Sequence, residues 1–260
     1  MCHRVQGCFA FRTASSGLSR RGRGGDTVKK IKRLLKSITL FEYCLWGCSV
    51  LAVTLSFALC GNKSYVNLAG AVIGVTSLIF IAKGNVLGNV LSLAFAVAYG
   101  VISYYTAYYG EMITYLTMNA PFSLIAIFTW LKNPYGGKKT QVKINSLRAR
   151  EYILALLLSA AVATAFYFIL RALNTANLIW STVSVFTSFY AVYMSVRRSP
   201  FYAVAYCFND IVLIVLWSLV SVGDSQYVCM VLCFATFLFN DIYGFVNWCR
   251  MRRAQNKEDK

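Results

Sequence analysis

The sequence predicts an all-α polytopic membrane protein of about eight transmembrane helices, and three observations carry that prediction. Hydrophobic residues make up 58% of the 260 and charged residues 13%, with a mean hydropathy of +0.57, a balance foreign to water-soluble domains. The apolar residues gather in runs near the roughly 20 residues that a helix rising about 1.5 Å per residue needs to cross a hydrocarbon core about 30 Å thick. The 26 Lys and Arg, set against 9 Asp and Glu, fall between those runs with a strong bias to one side.

Residues 1–27 are rich in Arg, Gly and Ser, and no apolar core follows their basic residues, so they read as a disordered basic leader rather than a cleaved signal. Over 28–40, Ile31, Leu34, Leu35 and Ile38 share one helical face and Lys29, Lys30, Lys32, Arg33 and Lys36 the other, which predicts an amphipathic helix lying at the membrane interface. The apolar runs follow at 41–60, 65–82, 85–108, 111–131, 150–172, 176–194, 200–221 and 227–249, leaving 250–260 as a cytoplasmic tail. With both termini cytoplasmic, 24 basic residues lie inside and two, Lys63 and Arg171, outside, whereas an odd number of spans spreads them over both faces. The net charge of +17 is thus a topology signal for a multi-pass membrane protein, with the lipid bilayer and not nucleic acid as its partner.

The runs also repeat. Spans two to four and six to eight each open on Asn-Leu (Asn67-Leu68, Asn177-Leu178) and turn at a short basic loop (Lys83, Arg197-Arg198). They turn again at Gly-acid (Gly110-Glu111, Gly223-Asp224) and end at a tryptophan, Trp130 or Trp248, read as an interfacial belt residue. A single intervening span gives both triplets one orientation, so the expected plan is a leading helix (41–60), a first three-helix repeat (65–131), a cytoplasmic linker with connecting helix (132–172) and a second repeat (176–249). Parallel repeats put a substrate site on the axis between the halves.

Several function classes lack raw material. His3 is the one histidine and lies in the leader, and no Gly-x-Ser-x-Gly elbow occurs, which argues against an intramembrane enzyme. The cysteine pairs Cys44/Cys48 and Cys229/Cys233 sit in apolar runs without a partner pair at zinc spacing, so neither metal nor cofactor is expected. The stretch Gly136-Gly137-Lys138-Lys139-Thr140 only superficially resembles a phosphate-binding loop, because Lys139 follows the lysine where Ser or Thr belongs. Polar residues inside the spans are a different matter, since each is costly in hydrocarbon unless it pairs or faces water. Asn209-Asp210 and Asn240-Asp241 reach similar depths in adjacent helices, and Asn119 precedes the helix-interrupting Pro121. Trp180, Tyr190, Trp217 and Tyr243 share those spans and offer aromatic faces to a flat, polar-edged, cationic ring. Candidate substrate-binding residues are therefore Asn119, Trp180, Tyr190, Asn209, Asp210, Trp217, Asn240 and Tyr243.

Three stretches carry a resemblance: Lys83-Gly84-Asn85 through Tyr109-Gly110-Glu111, Phe208-Asn209-Asp210 through Leu216-Trp217, and Phe239-Asn240-Asp241 through Asn247-Trp248. They closely resemble the PnuC family of nicotinamide riboside transporters over about Val28 to Arg253. That resemblance implies a fold related to the SWEET sugar transporters and uptake of nicotinamide riboside by facilitated diffusion, with a cytoplasmic riboside kinase trapping the substrate for NAD synthesis. An ion-coupled carrier of another nucleoside or vitamin-like solute, with Asp210 or Asp241 carrying the ion, is the alternative, and the sequence leaves a homo-oligomer open.

Overall fold

The computed structural model describes residues 38–59, 65–105, 109–175, 177–223 and 225–258. The leader at 1–27, most of the interfacial helix expected over 28–40 and the acid of the second Gly-acid turn, Asp224, lie outside those residues. The chain divides between Phe41 and Glu42 into two units, and the packing described here is that of the second.

Nearly all of it is helix: α1 (Leu40–Leu59), α2 (Tyr65–Ala82), α3 (Val86–Tyr105), α4 (Tyr109–Ile113), α5 (Ala120–Lys132), α6 (Ala149–Ala172), α7 (Leu178–Val196), α8 (Tyr202–Ser221) and α9 (Val228–Glu258). Among the described residues six segments are long and apolar enough to cross a membrane: Leu40–Leu59, Gly110–Lys132, Ala149–Ala172, Leu178–Val196, Tyr202–Ser221 and Val228–Glu258. Leu68–Ala82 and Val86–Val101 are shorter apolar helices. The protein is therefore an all-helical, multi-pass membrane protein.

Between α4 and α5 the backbone widens into a π-helical segment, Thr114–Asn119, in which the Ala120 N–H donates back to the Tyr115 carbonyl. The next residue is Pro121, which has no N–H to donate and whose ring crowds the preceding turn, so the looser turn accommodates it without breaking the helix. The Gly-rich stretch after α5 forms a small antiparallel hairpin, β1 (Pro134–Tyr135) with β2 (Lys138–Val142), turned by Gly136 and Gly137 at φ of 55° and 70°. A hairpin turn, not a phosphate loop, is what those glycines serve.

Six helices pack in a closed ring: α2 on α3, α3 on α5, α5 on α7, α7 on α8, α8 on α9 and α9 back on α2. α6 packs on α7. α1 is fastened to α2 through Trp46 Nε1, which donates to Thr76 Oγ1 at 3.1 Å, and to α9 through Asn240 Nδ2, which donates to Ser49 Oγ at 2.9 Å. At the ring's basic end Lys83 Nζ donates to both Glu42 carboxylate oxygens, at 2.8 and 3.0 Å, and the Tyr243 hydroxyl adds a third bond at 2.9 Å. Glu42 is almost wholly buried, and a carboxylate taken out of water requires such partners.

The tryptophans expected at the lipid belt are instead in the middle. Trp130 and Trp248 are among the most buried side chains, with ring centroids 5.4 Å apart. Trp130 Nε1 donates to the Ser195 carbonyl at 3.0 Å, and Trp248 Nε1 to the Ile81 carbonyl at 2.9 Å. Each acceptor is the penultimate residue of a ring helix, where the last carbonyls lack intrahelical partners. The indole that suits an interface, apolar with one donor, suits a buried helix end equally well. A second difference concerns 250–260: α9 stays helical to Glu258, because Gln255 bonds the hairpin segment through the Val142 carbonyl and the Ile144 N–H at 3.0 and 2.9 Å.

Candidate functional site

Inside the ring lies a cavity of about 690 Å³, mouth included, to which all six ring helices contribute. Helical periodicity explains which side chains reach it. On α8, Tyr202, Tyr206, Asn209, Asp210 and Leu213 follow the spacing of one face; on α9, Phe234, Phe237 and Asp241 do the same. Asn119 and Ser123 come from the widened turn and α5, four residues apart and continuous with Tyr115. Ser77 from α2, Ser92 and Phe95 from α3 and Ser188 from α7 complete the polar and aromatic wall.

The polar groups are arranged, not merely gathered. Asn209 Oδ1 accepts from Thr187 Oγ1 and from Ser188 Oγ, each at 2.8 Å, so its carbonyl is occupied and its N–H₂ is the group it can offer. The carboxyl groups of Asp210 and Asp241 face each other across the α8–α9 seam. Asp210 Oδ2 and Asn119 Oδ1 are buried without a hydrogen-bond partner among the described residues. Unsatisfied acceptors inside a membrane protein are costly. Two of them lining one cavity indicate a ligand that brings donors or positive charge. Aromatic faces stand beside them: Phe95 lies edge-on to Tyr115 at 6.0 Å and to Phe237 at 5.9 Å, and Tyr202 packs at 6.2 Å from Tyr206. No Lys, Arg or His is among the lining residues.

Of the residues picked from sequence, the cavity brings together Asn119, Asn209 and Asp210. Asn240 is buried but faces α1, donating to Ser49 and to the Thr236 carbonyl. On a helix, neighbours project about 100° apart, so of the Asn240-Asp241 pair it is Asp241 that enters the cavity. Trp217 is buried nearer the far end, 5.6 Å from the Tyr227 ring, and Tyr243 bonds Glu42 at the basic end. Tyr190 packs into the apolar cluster around Trp130 and Trp248, and Trp180, 38% exposed, stands near the start of α7, away from the lining. The aromatic side chains that do line the cavity, Phe95, Tyr115, Tyr202, Tyr206, Phe234 and Phe237, are not among the residues the sequence pointed to. For Tyr202, Tyr206 and Tyr115 the signal was the register they share with Asn209 and Asp210 on α8 and with Asn119 on the widened turn.

A family model described as nicotinamide mononucleotide transporter matches residues 64–250. Two curated relatives carry the name nicotinamide riboside transporter PnuC. The one from Neisseria mucosa is 23% identical over 224 residues, 85% of each chain. The one from Haemophilus influenzae is 20% identical over 196 residues, 74% of this chain and 83% of its own. A crystal structure of the vitamin B3 transporter PnuC superposes with a TM-score of 0.73 at 23% identity, covering 84% of this chain and 94% of that one, which establishes a common fold.

Proposed function

The chain belongs to the nicotinamide mononucleotide transporter family, and we propose that it carries nicotinamide riboside across the plasma membrane through the ring's central cavity. The observation that carries this reading is the pairing of Asp210 and Asp241 with aromatic walls in a cavity that, among the described residues, no basic side chain lines. Nicotinamide riboside is a pyridinium with a carboxamide and a ribose. The two carboxylates and the faces of Tyr115 and Tyr206 match the cation, Asn209 and Asn119 match the carboxamide, and Ser77, Ser92, Ser123 and Ser188 match the hydroxyls. The mononucleotide adds a phosphate dianion, which meets two carboxylates and no Lys or Arg. The riboside is therefore the transported form, in keeping with the names of both curated relatives.

The basic end, with Lys83, Lys132, Arg197 and Arg250, faces the cytoplasm together with both termini. The closed ring supports the two-repeat reading: exchanging α2, α3 and α5 for α7, α8 and α9 reproduces every contact around it. Two halves related in this way rock about the shared site to open it alternately to either side. Transport equilibrates the riboside, and a cytoplasmic kinase that adds a phosphate retains it.

Uptake into liposomes containing purified protein and no kinase tests this. Internal nicotinamide riboside rises to the external level and stops there, with or without imposed proton or sodium gradients. Accumulation severalfold above the external level under either gradient, lost in Asp210→Asn, overturns facilitated diffusion in favour of a coupled carrier.

A further inference from the structure

Beyond the central cavity, toward the end opposite the basic loops, a smaller, narrow hollow is lined by residues that include Ala71, Phe95, Tyr99, Cys233 and Phe234. Phe95 and Phe234 line both cavities, so the two share a wall. At that junction Tyr99, from the smaller cavity, and Tyr115, from the central one, bring their ring centroids to 4.4 Å. Glu111 lies within electrostatic reach of both tyrosines. The sequence pattern placed Glu111 in a Gly-acid turn at the start of a span; the structure places it inside α4, 8% exposed, with Oε2 lacking a hydrogen-bond partner among the described residues. Its neighbour Gly110 lies tight against Leu170 and Thr175, where a Cβ would come within 2.9 Å of a Leu170 methyl group, so packing on α6 holds that turn in place.

A buried carboxylate oxygen without a donor among the described residues, near two aromatic rings of which one lines each cavity, has the composition of a cation-binding site. Glu111 and Tyr99 are not among the residues lining the central cavity, whereas Tyr115 lines it and joins the two. We propose that Glu111, Tyr99 and Tyr115 form an outer subsite for organic cations of the pyridinium class, through which a positively charged riboside passes on its way to the central cavity. This rests on the transport reading and extends it. The carboxylate attracts the charge, the two rings offer their faces, and Phe95 and Phe234 separate this stop from the next.

The test compares two substrates of nearly the same shape in liposomes: nicotinamide riboside, which is a cation, and its neutral dihydropyridine counterpart. Glu111→Gln raises the half-saturating concentration of the cation at least fivefold and leaves that of the neutral riboside within twofold, whereas Glu111→Asp gives an intermediate value for the cation. On the wild-type protein, the ribose-free cation N-methylnicotinamide inhibits uptake of the cationic riboside more strongly than neutral nicotinamide does. That measurement needs no variant to fold. Equal shifts for both substrates in Glu111→Gln, or equal inhibition by the two ribose-free compounds, overturn the subsite while leaving transport intact. A wild-type protein that moves neither riboside overturns the transport reading and the subsite with it.

Discussion

Replacing Trp130 or Trp248 by phenylalanine tests how the ring is closed. Each substitution deletes one buried N–H bond, to Ser195 O at 3.0 Å or to Ile81 O at 2.9 Å, worth about 1 kcal/mol net. Each also trades an indole for a smaller ring in a fully packed site, adding about 1–2 kcal/mol for the space left behind. The acceptors do not become orphans, since Ser195 O also accepts from Arg198 N–H and Ile81 O from Gly84 N–H, at 2.9 and 2.8 Å. Each single variant therefore loses about 2–3 kcal/mol, and by near-equal amounts, because the two sites are counterparts in the ring. The rings touch at 5.4 Å, so the double variant departs from additivity by about 0.5–1.5 kcal/mol. Denaturation of each purified protein in detergent micelles, followed by loss of helical circular dichroism, supplies the four numbers of the cycle. A change below about 0.5 kcal/mol for either single variant, or strict additivity in the double, refutes the claim that the pair helps close the ring.

Other substitutions probe separate links. Lys83→Met removes two hydrogen bonds and the ion pair from the buried Glu42 and destabilises by about 3–5 kcal/mol, much of it recovered by adding Glu42→Gln, as thermal unfolding in detergent shows. Gly88→Ala sets a Cβ 2.5 Å from the Ile81 backbone nitrogen, where no flexible side chain can yield, so the α2–α3 hairpin loses about 1–3 kcal/mol, read in the same assay. Asp210→Asn removes one of the two facing carboxyl groups that share the negative charge offered to a cationic ligand. Riboside affinity measured by calorimetry then falls tenfold or more, while affinity for the neutral dihydropyridine riboside changes little.

The fold was legible in the sequence to the extent that the bilayer dictates it. Span length and the side on which the basic residues fall follow from hydrocarbon thickness and charge, and both can be counted along a chain. What could not be counted was which face of a helix looks inward. Asn240 and Asp241 are neighbours in sequence and equally polar, yet one clamps α1 through Ser49 and the other lines the cavity. Trp130 and Trp248 carry the composition and position of belt residues, and only the packing of four ring helices shows them capping buried carbonyls instead. Reading the register outward from Asn209 and Asp210 would have reached Tyr202 and Tyr206; aromatic content alone led to Trp180, which the cavity does not include.

The central claim is that this cavity takes a cationic nucleoside and refuses its phosphorylated form, because it presents two paired carboxyl groups and, among the described residues, no basic side chain. Calorimetric titration of the detergent-purified protein with nicotinamide riboside and with nicotinamide mononucleotide tests it most directly. The account predicts saturable binding of the riboside and a mononucleotide affinity at least a hundredfold weaker, with Asp210→Asn narrowing the gap. Equal affinity for the two, or preference for the mononucleotide, contradicts it.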